Sequence, residues 1–403
     1  MARLKFETIK VVLTSQYWLI LTLSGAFFAF FALNRGGAVV FMDLSCSFLI
    51  LNALLGEYNL KRIPIFYWIA GTICAYLLLA SVLLNPHQSH YSWMANLVRM
   101  MGVVFAIHCL SQKNIASWAN VFFTLILLTA VFFQFAARYV FNMPHGTFTN
   151  IHYLASFAVL VLPVLVYFFW TTIGWGKAIV VVAILMDADL LLKTGSRPAF
   201  LALIIGTVFA VFVFIDGRRK WIAAGLIISC LMALYITDYA NFGTRIQDFI
   251  LHLADEERFQ LWQKAWNVLR ENSLLTWIFG HGIEWFPIDY TKDSTLIETM
   301  GFPHSHILEI LYLNGIIGFL LVFGGLSYLF IAALIAARKA GEKKNDIFLK
   351  CVLVVYLVWL VLCGMIFPFY SKYTQYPLAF ILGVLFVLLE RRHSRRHNKV
   401  ENK

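Results

Sequence analysis

Charge is what this sequence has little of: 13% of its 403 residues are Asp, Glu, Lys or Arg, while 61% are hydrophobic. A water-soluble chain of this length needs far more polar surface, so a soluble globular protein is excluded and a polytopic membrane protein is indicated. Long polar segments are scarce as well. The longest runs from about Thr237 to Pro303, which is room for an elaborated loop and not for a second domain, so the chain reads as a single membrane domain over 1–403. Cysteine supplies no disulfide framework, because Cys46, Cys74, Cys109, Cys230, Cys351 and Cys363 all fall in or at the edge of apolar runs. There is no fixed-period repeat and no low-complexity tract. The first apolar run follows the basic leader MARLKFETIK and lacks a small-residue cleavage site, so it is expected to be a span and not a cleavable signal peptide.

What is present is apolar length. Runs long enough to span a bilayer lie at about 17–34, 37–55, 65–84, 94–111, 114–136, 151–171, 176–193, 198–215, 220–237, 307–337, 347–368 and 374–390. The expected architecture is therefore all-α with about twelve transmembrane helices. The run 307–337 exceeds one span, so it is tilted, broken or partly outside the bilayer. Most of the 32 lysines and arginines fall at the N-terminus, in alternate short loops and in the tail RRHSRRHNKVENK. That bias puts both termini in the cytoplasm and a large loop, 238–304, outside between the ninth and tenth helices. The net charge of +11 is accounted for by topology, and no nucleic-acid partner is implied. His87, His90, His145, His152, His252, His281, His304 and His306 then all lie in or beside outer segments, which directs the search for a site to that side.

Three stretches carry candidate chemistry. In LLKTGSRPAFLAL (191–203), Arg197 precedes Pro198 at an expected helix start, with the amides of Gly195 and Ser196 nearby. A helix N-terminus with an arginine suits a phosphate group, and a snorkelling arginine at the headgroups is the alternative. Below it, Asp187 and Asp189 spell D-x-D inside a span without any nucleotide-binding domain around them; Asp189 is expected to pair with Lys193 or Arg197. In ADEERFQLWQKAWNVLRENS, Phe259, Trp262, Trp266 and Leu269 recur at helical spacing, so a helix over about 255–271 is expected to lie flat at the membrane surface, opening on Arg258. In GFPHSHILEILYLNGIIG, His304, Leu308, Leu311 and Gly315 are expected to share one helical face, with Gly315 and Gly318 thinning the backbone for packing. His304 is a natural general base; hydrogen bonding to headgroups is also open, and His304 with His306 lacks the spacing of a helical metal site.

Together these stretches resemble the O-antigen ligase and polymerase superfamily, most closely its O-antigen ligases. Arg197 to Leu201 matches the family's Arg-x-x-x-Leu, a weak pattern in so leucine-rich a chain. His304-Ser305, nine residues, then Gly315-x-x-Gly318 matches its more specific His-[Asn/Ser/Gln]-x9-Gly-x-x-[Gly/Thr/Tyr]. Arg258, Trp262 and Ala265 resemble an Arg-x-x-x-Trp-x-x-Ala stretch; Gly280 and Gly282 a Gly-x-Gly turn; Gly146 and Asn150 a Gly-x-x-x-Asn stretch. The second histidine, His306, is not required by the pattern.

The resemblance implies a GT-C-like glycosyltransferase in the bacterial inner membrane with a periplasmic active site. A glycan would pass from undecaprenyl pyrophosphate to the lipid A–core oligosaccharide, with inversion and without cofactor, metal or nucleotide sugar. In that reaction Arg197 and Arg258 would hold the pyrophosphate and His304 would be the base. Asn150 and His306 are further substrate-binding candidates, and Arg35, Arg138 and Lys372 are possible contacts to the anionic acceptor. An O-antigen polymerase or a protein O-oligosaccharyltransferase of the same superfamily is the nearest alternative. A twelve-helix secondary transporter using Asp187 and Asp189 is the alternative of another class.

Overall fold

The structure of the protein, a computed structural model, describes residues 16–29, 35–54, 64–84, 91–112, 116–148, 150–251, 257–282, 304–341, 344–366 and 369–401. For some residues at helix ends, Arg35, Arg258 and Lys372 among them, only the backbone is described. Helices run Gln16–Phe28 (α1), Arg35–Leu54 (α2), Ile65–Leu84 (α3), Tyr91–Gln112 (α4), Ala116–Tyr139 (α5), Ile151–Thr171 (α6), Trp175–Thr194 (α7), Arg197–Phe214 (α8) and Arg218–Ile236 (α9). Three shorter ones follow, Phe242–Leu251 (α10), Glu257–Arg270 (α11) and Leu274–Phe279 (α12), and then His306–Arg338 (α13), Lys344–Cys363 (α14) and Lys372–Glu401 (α15). Among the described residues the chain is all-helical, and α1–α9 with α13–α15 follow the twelve apolar runs. Eight are long and apolar enough to cross a membrane by length and composition, with shorter apolar helices at Ala38–Asn52 and Thr124–Tyr139. The protein is an all-α polytopic membrane protein.

The lipid-facing side is read from what stays exposed. Trp68, Leu79, Leu83, Ile222, Leu226 and Ile236 are uncovered, and α9 buries none of its residues. In water such a surface would be untenable; against acyl chains it is the expected one. Trp170, Trp175 and Trp221 are also exposed, and all stand at helix ends, where an indole ring sits at headgroup depth.

The interior is organised around α14, which packs on α6, α8, α13 and α15 and buries Tyr356 and Trp359. Gly206 of α8 allows the close approach: a Cβ there would lie 2.5 Å from Val358 Cγ2. Cys351 Sγ reaches Pro163 O of α6 at 3.3 Å. These contacts align the starts of α6 and α8 with the end of α14, so the turns around 150, 196 and 364–366 share one end of the bundle. Within the apolar layer, Arg99 of α4 forks onto Asp43 of α2 at 2.6 and 3.2 Å, which neutralises both charges where solvation is poorest.

The over-long run is a broken helix, one of the three forms expected of it: α13 is interrupted at Gly315, at φ 62° and ψ −168°. The helical face joining His304 to Gly315 therefore does not exist. His304 stands outside α13, which starts at His306 with Ser305 as its N-cap, and at φ 49° it is in the left-handed region that few non-glycine residues adopt. Helix α11 is present, at Glu257–Arg270. Leu261, Ala265 and Leu269 are the buried stripe, and α11 packs toward α13, while Phe259 and Trp266 remain exposed.

Candidate active site

One group of polar residues surrounds the turn between α7 and α8. Gly195 ends α7 in the left-handed conformation at φ 64°, and Ser196 caps α8. The carbonyls left over at the end of α7 are taken by two arginines. Arg138 of α5 donates to Lys193 O at 3.2 Å, and Arg245 of α10 to Leu192 O at 3.4 Å. Cations at a helix C-terminus also complement its dipole. Gly195 is required twice over: a Cβ there would fall 2.1 Å from Arg245 Nη1. Arg138 therefore has a structural engagement beside any contact to ligand, and its Nη1 is buried without a hydrogen-bond partner among the described residues.

Arg197 is exposed and opens α8, followed at once by Pro198. Beside it, His152 Nδ1 lies 3.2 Å from Ser196 Oγ, bringing the start of α6 against the start of α8. Asn150 is the N-cap of α6, its Oδ1 accepting from the His152 amide at 2.8 Å, an interaction worth about 1 kcal/mol. Two positive helix ends and an exposed guanidinium thus meet on one patch, which can accept an anion.

Asp189 is not paired with Lys193 or Arg197. Its carboxylate accepts from the hydroxyls of Tyr139 and Tyr239, the latter at 2.5 Å, while Lys193 lies over the Tyr239 ring at 5.0 Å. The bond to Asp189 raises the Tyr239 phenol above its ordinary pKa. Neither spacing nor basicity in the sequence points to a tyrosine clamp, since both partners come from other elements. Asp187 is fully buried, and neither of its oxygens has a hydrogen-bond partner among the described residues. Asp238 folds the next turn onto this one by accepting the Thr244 amide and hydroxyl at 3.0 and 2.8 Å, and those bonds hold its carboxyl below the usual range.

The second group surrounds His304. Its Nδ1 meets the carbonyl of Ile366 at 2.5 Å. A carbonyl only accepts, so Nδ1 carries the proton and Nε2 of the neutral ring is left with the lone pair. His306 is two residues away but buried, its ring edge-on to Phe369 at 5.5 Å and to Trp359 at 6.2 Å. The two histidines thus occupy different environments. Glu309, also buried, accepts the Phe369 amide at 2.7 Å, and Tyr370 donates to Asn314 Oδ1 at 2.6 Å.

The break at Gly315 explains the glycine motifs. With α13 interrupted, the Tyr312 and Leu313 carbonyls accept the amides of His281 and Gly282 at 3.0 and 2.8 Å. A Cβ on Gly315 would lie 2.4 Å from Ile278 O, and one on Gly280 would lie 2.3 Å from Leu313 O. The two glycine positions face each other across a backbone contact. Gly318 serves packing in the narrower sense, since its Cβ would meet Asn314 and Tyr76. His281 completes this layer, stacked on Tyr312 at 4.2 Å and bonded through Nε2 to Asn272 Oδ1 at 2.9 Å. Arg245, Asn272 and the tyrosine pair on Asp189 escape sequence reading; His281 is marked there only as one of the outer histidines, within the Gly280–Gly282 pattern.

Of the other expected site residues, Arg258 lies in the first turn of α11, Arg35 opens α2 and Lys372 opens α15; their side chains lie outside the described residues. No three His, Cys, Asp or Glu side chains converge on a common point among the described residues. The described contacts gather Arg138, His152, Arg197 and Arg245 on one turn, and His304, His306 and Glu309 beside Ile366 and Phe369, while Gly315 meets Ile278 and Gly280.

The fold and these helix-end turns define a polytopic helical membrane protein with an arginine-bearing helix start and a tautomer-fixed histidine at one end. Residues 178–323 match the family model described as Wzy_C, O-antigen ligase. The likeness to the O-antigen ligase superfamily is thereby shown over this stretch, which contains Arg197, Arg258, His304, Gly315 and Gly318; Arg35, Arg138, Asn150 and Lys372 fall outside it. The family is one of membrane glycosyltransferase-like enzymes that work on lipid-linked glycans and lipid-anchored acceptors. No curated protein matches the chain.

Proposed function

We propose that the protein is an O-antigen ligase. It transfers a glycan from undecaprenyl pyrophosphate to a sugar hydroxyl of the lipid A–core oligosaccharide, at the periplasmic face of the inner membrane, with both termini in the cytoplasm. The observation that carries this reading is the hydrogen bond from His304 Nδ1 to Ile366 O, which leaves Nε2 as a base in the segment matched by the family. In the reaction Nε2 takes the proton of the acceptor hydroxyl as its oxygen attacks the anomeric carbon. The bond from that carbon to the pyrophosphate oxygen breaks on the opposite side, so the product is inverted. The leaving pyrophosphate is a stable dianion or trianion and needs no general acid. Arg197, at the start of α8, and Arg258, in the first turn of α11, hold it and gain strength as its charge grows.

A polymerase of the same superfamily would use the same chemistry with a second lipid-linked glycan as acceptor. A strain lacking this protein separates the two. Loss of all core-attached glycan, with long lipid-linked chains accumulating, is the ligase outcome. Core bearing single repeat units is the polymerase outcome and would sink the ligase reading.

A further inference from the structure

We propose that Glu309 is a positioning residue for His304, acting through the connection between α14 and α15. The inference rests on the reading of His304 as the base. Glu309 lies in the first turn of α13, only 2% exposed. Its Oε2 accepts the Phe369 amide at 2.7 Å, beside the amide of Tyr370. Three residues earlier in the same connection, Ile366 presents the carbonyl that receives His304 Nδ1–H. The connection is pinned from the same helix a second time, by Tyr370 on Asn314 Oδ1 at 2.6 Å. Ile366, Phe369 and Tyr370 are all buried, so this backbone has no water to satisfy it if the carboxylate is removed.

Glu309 Oε1 has no hydrogen-bond partner among the described residues, so the carboxyl's contacts are concentrated on the backbone amides after Ile366. What the oxygen at Oε2 does provide is a fixed carbonyl for the imidazole. If the Ile366 carbonyl moves, Nδ1 loses an acceptor that holds its proton, the two tautomers become comparable, and Nε2 carries the proton in part of the molecules.

The test reads the tautomer directly. Full-length protein labelled with 15N histidine is reconstituted in lipid nanodiscs, and the His304 signals are identified by difference from His304→Gln. The intact protein is expected to show one neutral tautomer, protonated at Nδ1. Glu309→Ala is expected to show both, while Glu309→Gln, whose amide oxygen still accepts the Phe369 amide, keeps the single one. If the alanine variant fails to insert, Glu309→Asp, one methylene short, is expected to show the same mixture. In turnover, Glu309→Ala is expected to lower kcat about 10- to 100-fold with donor KM within about twofold, and Glu309→Gln to restore it. A single Nδ1–H tautomer retained in Glu309→Ala, or lost equally in Glu309→Gln, would overturn the proposal. Undiminished turnover in His304→Gln, by contrast, would remove the base assignment and leave the tautomer result standing.

Discussion

At the scale of single residues, His304 departs from ordinary backbone. It holds φ 49° without being glycine, and the other such residues among those described, Asn142, Asp238, Ala240 and Asn241, lie in turns at the same end of the bundle. Left-handed non-glycine residues cost on the order of 1–3 kcal/mol each, and they persist where the surroundings over-determine them, as at functional sites. His304→Asn tolerates the backbone but cannot act as a base. Its expected signature is an unchanged melting temperature with turnover down about 10²- to 10⁴-fold; a large fall in melting temperature instead would assign His304 to structure. Arg197→Lys keeps the charge and loses the fork, so it is expected to retain more turnover than Arg197→Ala, with both inserting normally. Equal turnover of the two would mean that bidentate contact to phosphate is not used.

At the scale of elements, the packing of the Gly-x-Gly turn onto the interrupted helix is the main finding. Gly315→Ala must both enter the left-handed region and drive a methyl into Ile278 O. The expected result is a loss of several kcal/mol, seen as a lower melting temperature and lower yield, with Gly280→Ala behaving alike because it meets the same contact from the other side. Gly324→Ala, where nothing lies within 4 Å, is the control and should be silent. Hydropathy marked the run 307–337 as too long, and the motif marked Gly315, yet neither could show that the helix stops there. The break depends on backbone amides of His281 and Gly282 arriving from a distant segment, and apolar periodicity is blind to φ. For the same reason Asp189 was read against its neighbours in sequence, whereas its partners are tyrosines from α5 and the turn after α9. Arg245 is invisible until Gly195 is seen beneath it. Asn150, expected as a substrate-binding residue, caps α6, a role the sequence reading did not assign to it.

At the scale of the whole molecule, the twelve apolar runs were legible because spanning length and charge exclusion are imposed by the bilayer and not by partners. The proposed orientation makes a prediction of its own. In a cysteine-free background, Asn142→Cys, exposed in the turn after α5, should react with a membrane-impermeant maleimide in cells with a permeabilised outer membrane. Asp216→Cys, in the turn between α8 and α9, should react only after lysis. The reverse pattern would invert the topology and move the site to the cytoplasm. Asp187→Asn separates the enzyme from a proton-coupled transporter: transfer should survive the loss of that buried carboxyl, and abolition of a solute flux would favour transport.

The most direct test of the central claim is glycan transfer by the purified protein in liposomes containing undecaprenyl-pyrophosphate-linked glycan and lipid A–core. The account predicts glycan joined to core by the intact protein, an inverted anomeric linkage, and loss of at least about 10²-fold in His304→Ala, with the variant folded and inserted. Transfer at the wild-type rate by His304→Ala would contradict it.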